Sequence, residues 1–204
     1  MVILICLVLL LSTKMYILVA LIPALLAYCW SYGNSTSAVF IKYSLVVIAF
    51  VVTAFLIRIL VPDYDPAEVI RIKQADFLEL SKRAGSRIAI PRLDASPLSL
   101  LRTAPNALYN SCFRPLKLNG HAFIRMAAIE NWILLIFAAC CLIFSKPLAE
   151  VDWNPVLMCM LFAIILLLII GWITPVVGAI VRYKVPALPF LLVALLHIKR
   201  TRSL

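Results

Sequence analysis

Acidic side chains are scarce in this chain: nine of 204 residues, against 19 lysines and arginines, with only 14% of residues charged. No Gly-rich phosphate loop, no GxSxG elbow and no pair of acids isolated in an apolar stretch is present, so no catalytic spacing names a reaction. The two histidines, His121 and His197, stand far apart with no CxxC or HExxH beside them. That sets aside a zinc site, and neither a metal nor a cofactor is expected. Six cysteines form no framework either. Cys6, Cys29, Cys140, Cys141 and Cys159 lie in apolar runs and only Cys112 in polar sequence. Buried thiols behave as small hydrophobes, so no disulfide is expected. Internal repeats are missing too, which counts against a small transporter.

What the chain has instead is apolar length. Hydrophobic residues make up 65% and the mean hydropathy is +1.07, where soluble domains carry ~45–50% apolar residues. From Pro155 to Val181 no side chain is charged. As a helix that run reaches roughly 40 Å, longer than the ~30 Å hydrocarbon core of a bilayer. Met15–Trp30, Phe40–Val61 and a helix from about Ala122 to Phe144 are further membrane segments. The expected fold class is all-α: a polytopic membrane protein with four or five membrane segments and a helical interfacial middle region. Three parts follow: 1–61, 62–128 and 129–204.

Residues Val2–Leu11 are apolar throughout but reach only about 15 Å. Their positive charge, Lys14, follows the run, whereas a secretory signal is positively charged before it. The segment reads as the tail of a helix whose beginning is missing, so the gene is expected to continue upstream.

Local signals fill in the rest. Trp30 and Tyr32 suit the headgroup region, Pro23 implies a kink, and Gly33–Ser37 is a polar turn closing a helical hairpin. Asp65-Pro66-Ala67-Glu68 matches a helix start, with the helix running to Ala84 and stopping at Gly85. Val69, Ile70, Ile72, Phe77, Leu78 and Leu80 give it an apolar side, fit either for lying on headgroups or for packing on the protein. Arg87–Pro91 reads as extended. Ser96-Pro97 opens a second helix, interrupted at Pro105 and ended near Arg114-Pro115. Pro155 starts the next span in its first turn, and Thr174-Pro175 ends it. The last apolar piece, Val185–Ile198, contains Pro186 and Pro189 and is short for a span.

Ten of the nineteen basic residues fall between Pro62 and Ala128. A net charge of +10 is explained by anionic headgroups and orientation signals, and no nucleic-acid partner is expected. The basic C-terminal tail is read as cytoplasmic, with the side of the middle region left open.

Six residues carry the site expectations. Arg58 is the ionised group well inside a predicted span, yet it lies about 6 Å along the helix from Pro62, within snorkelling reach. Glu130, at the start of the fourth apolar segment, could serve as a base, bind a cation or simply mark a helix end. Arg182 and Lys184, between Gly178 and Pro186, are candidates for holding an anionic headgroup, against the alternative of a short basic loop. Arg114 and Lys117 are expected to join them.

Three strings carry a resemblance: Pro105–Tyr109 with Arg114-Pro115, Glu130-Asn131, and Gly178–Phe190. From Met15 onward the chain resembles the C-terminal part of large bacterial multi-pass proteins, uncharacterised or glycosyltransferase-like and associated with envelope polysaccharide assembly. The resemblance implies an inner-membrane protein, additional N-terminal spans, and a polyprenyl-phosphate-linked sugar as partner besides the lipid bilayer. The acidic loop of a lipid-phosphate-sugar glycosyltransferase would lie in the missing portion. A non-catalytic membrane subunit or scaffold, or a fragment without activity, is the alternative.

Overall fold

A computed structural model describes residues 14–61, 64–83, 85–116 and 122–199. The expectations placed on Val2–Leu11, Ala84, Lys117 and His121 lie outside them. Among the described residues the chain forms eight α-helices: α1 (Met15–Ser31), α2 (Thr36–Leu60), α3 (Pro66–Leu80), α4 (Pro97–Phe113), α5 (Ala122–Ile143), α6 (Trp153–Ile173), α7 (Val177–Lys184) and α8 (Ala187–Ile198). The all-α polytopic fold class stands. Three helices, α2, α5 and α6, are long and apolar enough to cross a membrane, and α7 with α8 makes a fourth if the bent pair is one span. The shorter apolar helix α1 has 17 residues.

α6 is the hub. It packs on α1, α4 and α8, and also touches α2, α3 and α7. Asp152 caps it by accepting the Asn154 N–H, and Pro175 stops it by disfavouring a helical Thr174. Val156, Cys159, Phe162, Ala163, Leu166, Leu167 and Ile170 are buried along it. The main core joins these to Ile17, Ala20 and Ala24 of α1, Ile88, Ile180 of α7 and Ala187 of α8. At one end of α6, the polar-turn end, Asn154 meets Tyr28 and Tyr43. At the other, the basic end, Trp172 meets Gln74 and Thr103.

Against these two ends the other helices take their directions. The α1–α2 turn lies at the polar-turn end, where Gly33 adopts φ +72°, a left-handed conformation that a side chain would strain. The middle region gathers at the basic end. There α3 docks on α6 through a buried Gln74, whose amide donates to the carbonyls of Pro91 (3.0 Å) and Trp172 (2.7 Å) and accepts from the Leu93 N–H (2.9 Å). Segment 86–88 pairs with the turn after α6 through Ile88 N–H to Pro175 O and Val177 N–H to Ser86 O. Of the two possibilities offered by α3's apolar side, packing on the protein is the one seen, with Phe77 against Tyr183. Ala67 and Gln74 are buried against the protein, while Val69, Ile72 and Leu80 remain exposed.

Two sequence expectations change. The helix begun at Ser96 is not interrupted at Pro105; α4 runs through it to Phe113. Pro105 is exposed there, and one missing backbone hydrogen bond does not end a helix that α6 supports. Finally, Val177–Lys184 is helical, so α7 and α8 together reach about 30 Å, matching α6. They bend by 58° at Pro186, which lacks the N–H needed to continue the ladder. α8 runs antiparallel to α6: Phe190 meets Phe162 at 4.2 Å, and Ala194 packs on Val151, Val156 and Cys159. Lys199 bridges to Ser145, placing it at the polar-turn end. The C-terminal basic segment thus begins at the end opposite the middle region.

Candidate functional site

The five candidate residues that are described do not form one cluster. Arg58 reaches out of α2 and lies 3.5 Å from the Asp65 carboxylate, half-exposed. That is the snorkelling arrangement, with an ion pair added. Arg114 is partly buried and sits 6.0 Å over the Tyr109 ring. Arg182 is exposed and lies against the neighbouring Tyr183 ring, 5.1 Å from its centroid. Lys184 is only 3% exposed. Residues two apart on a helix face opposite ways, so α7 sends Arg182 outward and Lys184 inward.

Lys184 is held at a junction. Its Nζ donates to Asn131 Oδ1 on α5 at 2.8 Å, and both residues are buried. The exposed Glu130 lies within electrostatic reach, as does Cys112 of α4. Among the described residues the ion pairs are Arg58–Asp65, Arg71–Glu68 and Lys82–Glu79, so no carboxylate closes on Lys184. The Asn131 Nδ2 is buried without a hydrogen-bond partner. The preceding residue, Tyr183, packs edge-on against Tyr16 of α1 (6.1 Å) and Phe77 of α3 (6.2 Å). The Tyr16 hydroxyl is buried and unpartnered as well. Four helices, α1, α3, α4 and α5, thus meet α7 around Tyr183 and Lys184.

The junction leaves hydrogen-bond donors unspent. Lys184 brings three donors and spends one, on a neutral amide. A buried cation without a counter-charge is costly, and an anion is the direct compensation. An oxygen bridging Lys184 Nζ and Asn131 Nδ2 would use the donors left over on both. Depth adds to the argument: Asn131 lies nine residues, about 14 Å, beyond the start of α5. Ionisable groups at such depth mark sites by default.

Sequence reading identified Lys184 but not Asn131 as its partner. The signal was present, since an Asn in an apolar helix needs a partner, but nothing in the order of residues says that α7 comes to rest on α5. Cys112, singled out for lying in polar sequence, is half-buried against the main core, and that burial pushes its thiol pKa up. His197 leans on its own helix, with Nδ1 3.0 Å from Val193 O. Among the described residues no group of three or more His, Cys, Asp and Glu could hold a metal ion. No protein-family model, curated protein or solved structure matches the chain.

Proposed function

We propose that this protein is a bacterial inner-membrane component of lipid-linked sugar assembly that binds the anionic headgroup of a polyprenyl phosphate or similar lipid. One observation carries the reading: Lys184, buried at the break between two apolar helices, contacts a neutral Asn131 whose own amide donor is unspent. A phosphate oxygen satisfies both groups, and the adjoining hydrocarbon surfaces suit a lipid tail. Two of the strings that resemble envelope-polysaccharide proteins, Glu130-Asn131 and Gly178–Phe190, fall on this junction. Glu130, exposed beside it, is positioned to hold a divalent cation against the phosphate or to take a proton.

Charge orients the protein. Lys14, Arg58, Arg182, Lys184 and the middle region lie at the basic end, against Lys42, Lys146 and Lys199 at the other. The excess puts the basic end in the cytoplasm, and with it the headgroup site. The Lys199 segment then starts on the outer side, contrary to the cytoplasmic tail expected from sequence.

The test is lipid binding in phosphatidylcholine nanodiscs, read by native mass spectrometry. Wild-type protein is expected to retain a polyprenyl phosphate over the uncharged polyprenol, and Lys184→Met to lose that preference. Equal retention of the two lipids by wild type, or unchanged preference in the variant, rejects the reading in favour of a scaffold.

A further inference from the structure

At the far end of α6 from Lys184, the α1–α2 turn and the α6 N-terminus enclose a hollow of about 290 Å³. Tyr28, Ser31, Tyr32, Asn34, Asp152 and Asn154 line it. Its back wall is fixed. Asn154 is buried, its Oδ1 accepts from the Tyr43 hydroxyl at 3.1 Å, and its Nδ2 donates to the Tyr28 carbonyl at 3.3 Å. Tyr28 and Tyr32 meet edge-to-face with centroids 6.5 Å apart. Asp152 is exposed and gives one carboxylate oxygen to the Asn154 N–H, which leaves the other for a ligand. Ser31 is fully buried, and its hydroxyl has no hydrogen-bond partner.

This set differs in kind from the Lys184 junction. No lysine or arginine lines the hollow and one carboxylate does, so an anion is disfavoured. A simple cation would use Asp152 and the tyrosine faces but would leave the unpartnered Ser31 hydroxyl idle as a donor. Hydroxyls that both donate and accept, set beside aromatic rings, match a ligand carrying many hydroxyls on an apolar ring face. The volume sits at the small end of ligand sites, enough for one ring.

We propose that this hollow binds a single sugar residue or a neutral polyol of similar size. Along α1 it lies about 18 Å from the Lys184 junction, the rise from Tyr16, which meets Tyr183, to Tyr28, and the proposal does not depend on the headgroup site.

Saturation-transfer NMR on the full chain in phosphatidylcholine nanodiscs tests it, with methyl glucoside and methyl N-acetylglucosaminide as probes and choline as the cationic comparison. Tyr32 is 74% exposed, so Tyr32→Ala leaves the core untouched. Asp152→Asn keeps an oxygen for the helix cap while removing the charge. Transfer to at least one glycoside is expected in wild type, with affinity falling about tenfold in Tyr32→Ala, the worth of one aromatic contact. A smaller loss is expected in Asp152→Asn. Lys184→Met should leave the glycoside signal unchanged, which separates this site from the headgroup site. No transfer to either glycoside, transfer indifferent to both hollow variants, or transfer to choline alone overturns the proposal.

Discussion

Gly171 of α6 lies so close to the Ala107 carbonyl of α4 that a Cβ at position 171 would collide with backbone rather than with a movable side chain. The two helices cross there in near-backbone contact, at the end of α6 that carries the middle region. Gly171→Ala is therefore expected to lower stability by about 1–3 kcal/mol, the usual cost of overpacking. Gly178 is the control. A Cβ there meets nothing within 4 Å, and Gly178→Ala within α7 should be neutral or stabilising by up to about 1 kcal/mol. Thermal unfolding in detergent, followed by circular dichroism, distinguishes the pair.

Gln74 supplies the second expectation. Its amide ties α3 at once to segment 91–93 and to α6. Gln74→Leu matches its size but strands the Leu93 N–H and two carbonyls, at about 1–3 kcal/mol for each group left buried without a partner. Limited proteolysis should then cut near residues 84–96 sooner than in wild type, while the transmembrane fragments survive. Uniform acceleration of cleavage across the chain would mean that Gln74 acts otherwise.

Lys184 and Asn131 allow a double-mutant cycle. Lys184→Met leaves the Asn131 carbonyl oxygen without its donor, and Asn131→Leu leaves a buried cation without its acceptor. Each alone is expected to destabilise, and the combination to cost less than their sum, with a coupling of about 0.5–3 kcal/mol. Such a double variant should regain stability without regaining anion preference. Strictly additive losses would indicate that the 2.8 Å contact contributes little.

Sidedness is measurable by thiol labelling. Burial pushes the Cys112 pKa upward, so little reactive thiolate forms near neutrality and labelling should rise as the pH is raised. Arg92→Cys at the basic end and Glu150→Cys at the polar-turn end, both at exposed positions, are better reporters. In intact cells an impermeant maleimide should label Glu150→Cys and spare Arg92→Cys. The reverse pattern would invert the orientation.

How much of this was legible beforehand depends on the kind of signal. Asp65 and Ser96 cap helices by accepting from Ala67 and Ser99, as their position before proline and the start of each apolar pattern implied. The long apolar runs gave α2, α5 and α6 within a few residues, because hydrocarbon leaves backbone groups few choices. Pro105 misled, since a proline in a packed helix costs a hydrogen bond but not the helix. Arg182 and Lys184 were recognised as a pair and are separated by the geometry of α7, which the alternative of a short basic loop around them hid. The Lys184–Asn131 contact and the hollow beside Asp152 each join parts of the chain far apart in sequence, so no local pattern announces them.

α2 meets the rest of the protein chiefly at its extremities. Tyr43 bonds Asn154 near one end, and Arg58 pairs with Asp65 near the other. Between them residues 47–53 are all exposed, nearly two turns and so the full circumference of the helix. Acyl chains must supply the neighbours that other helices supply elsewhere. Short-chain detergents that strip these lipids should therefore loosen α2 first, and added phospholipid should tighten it again.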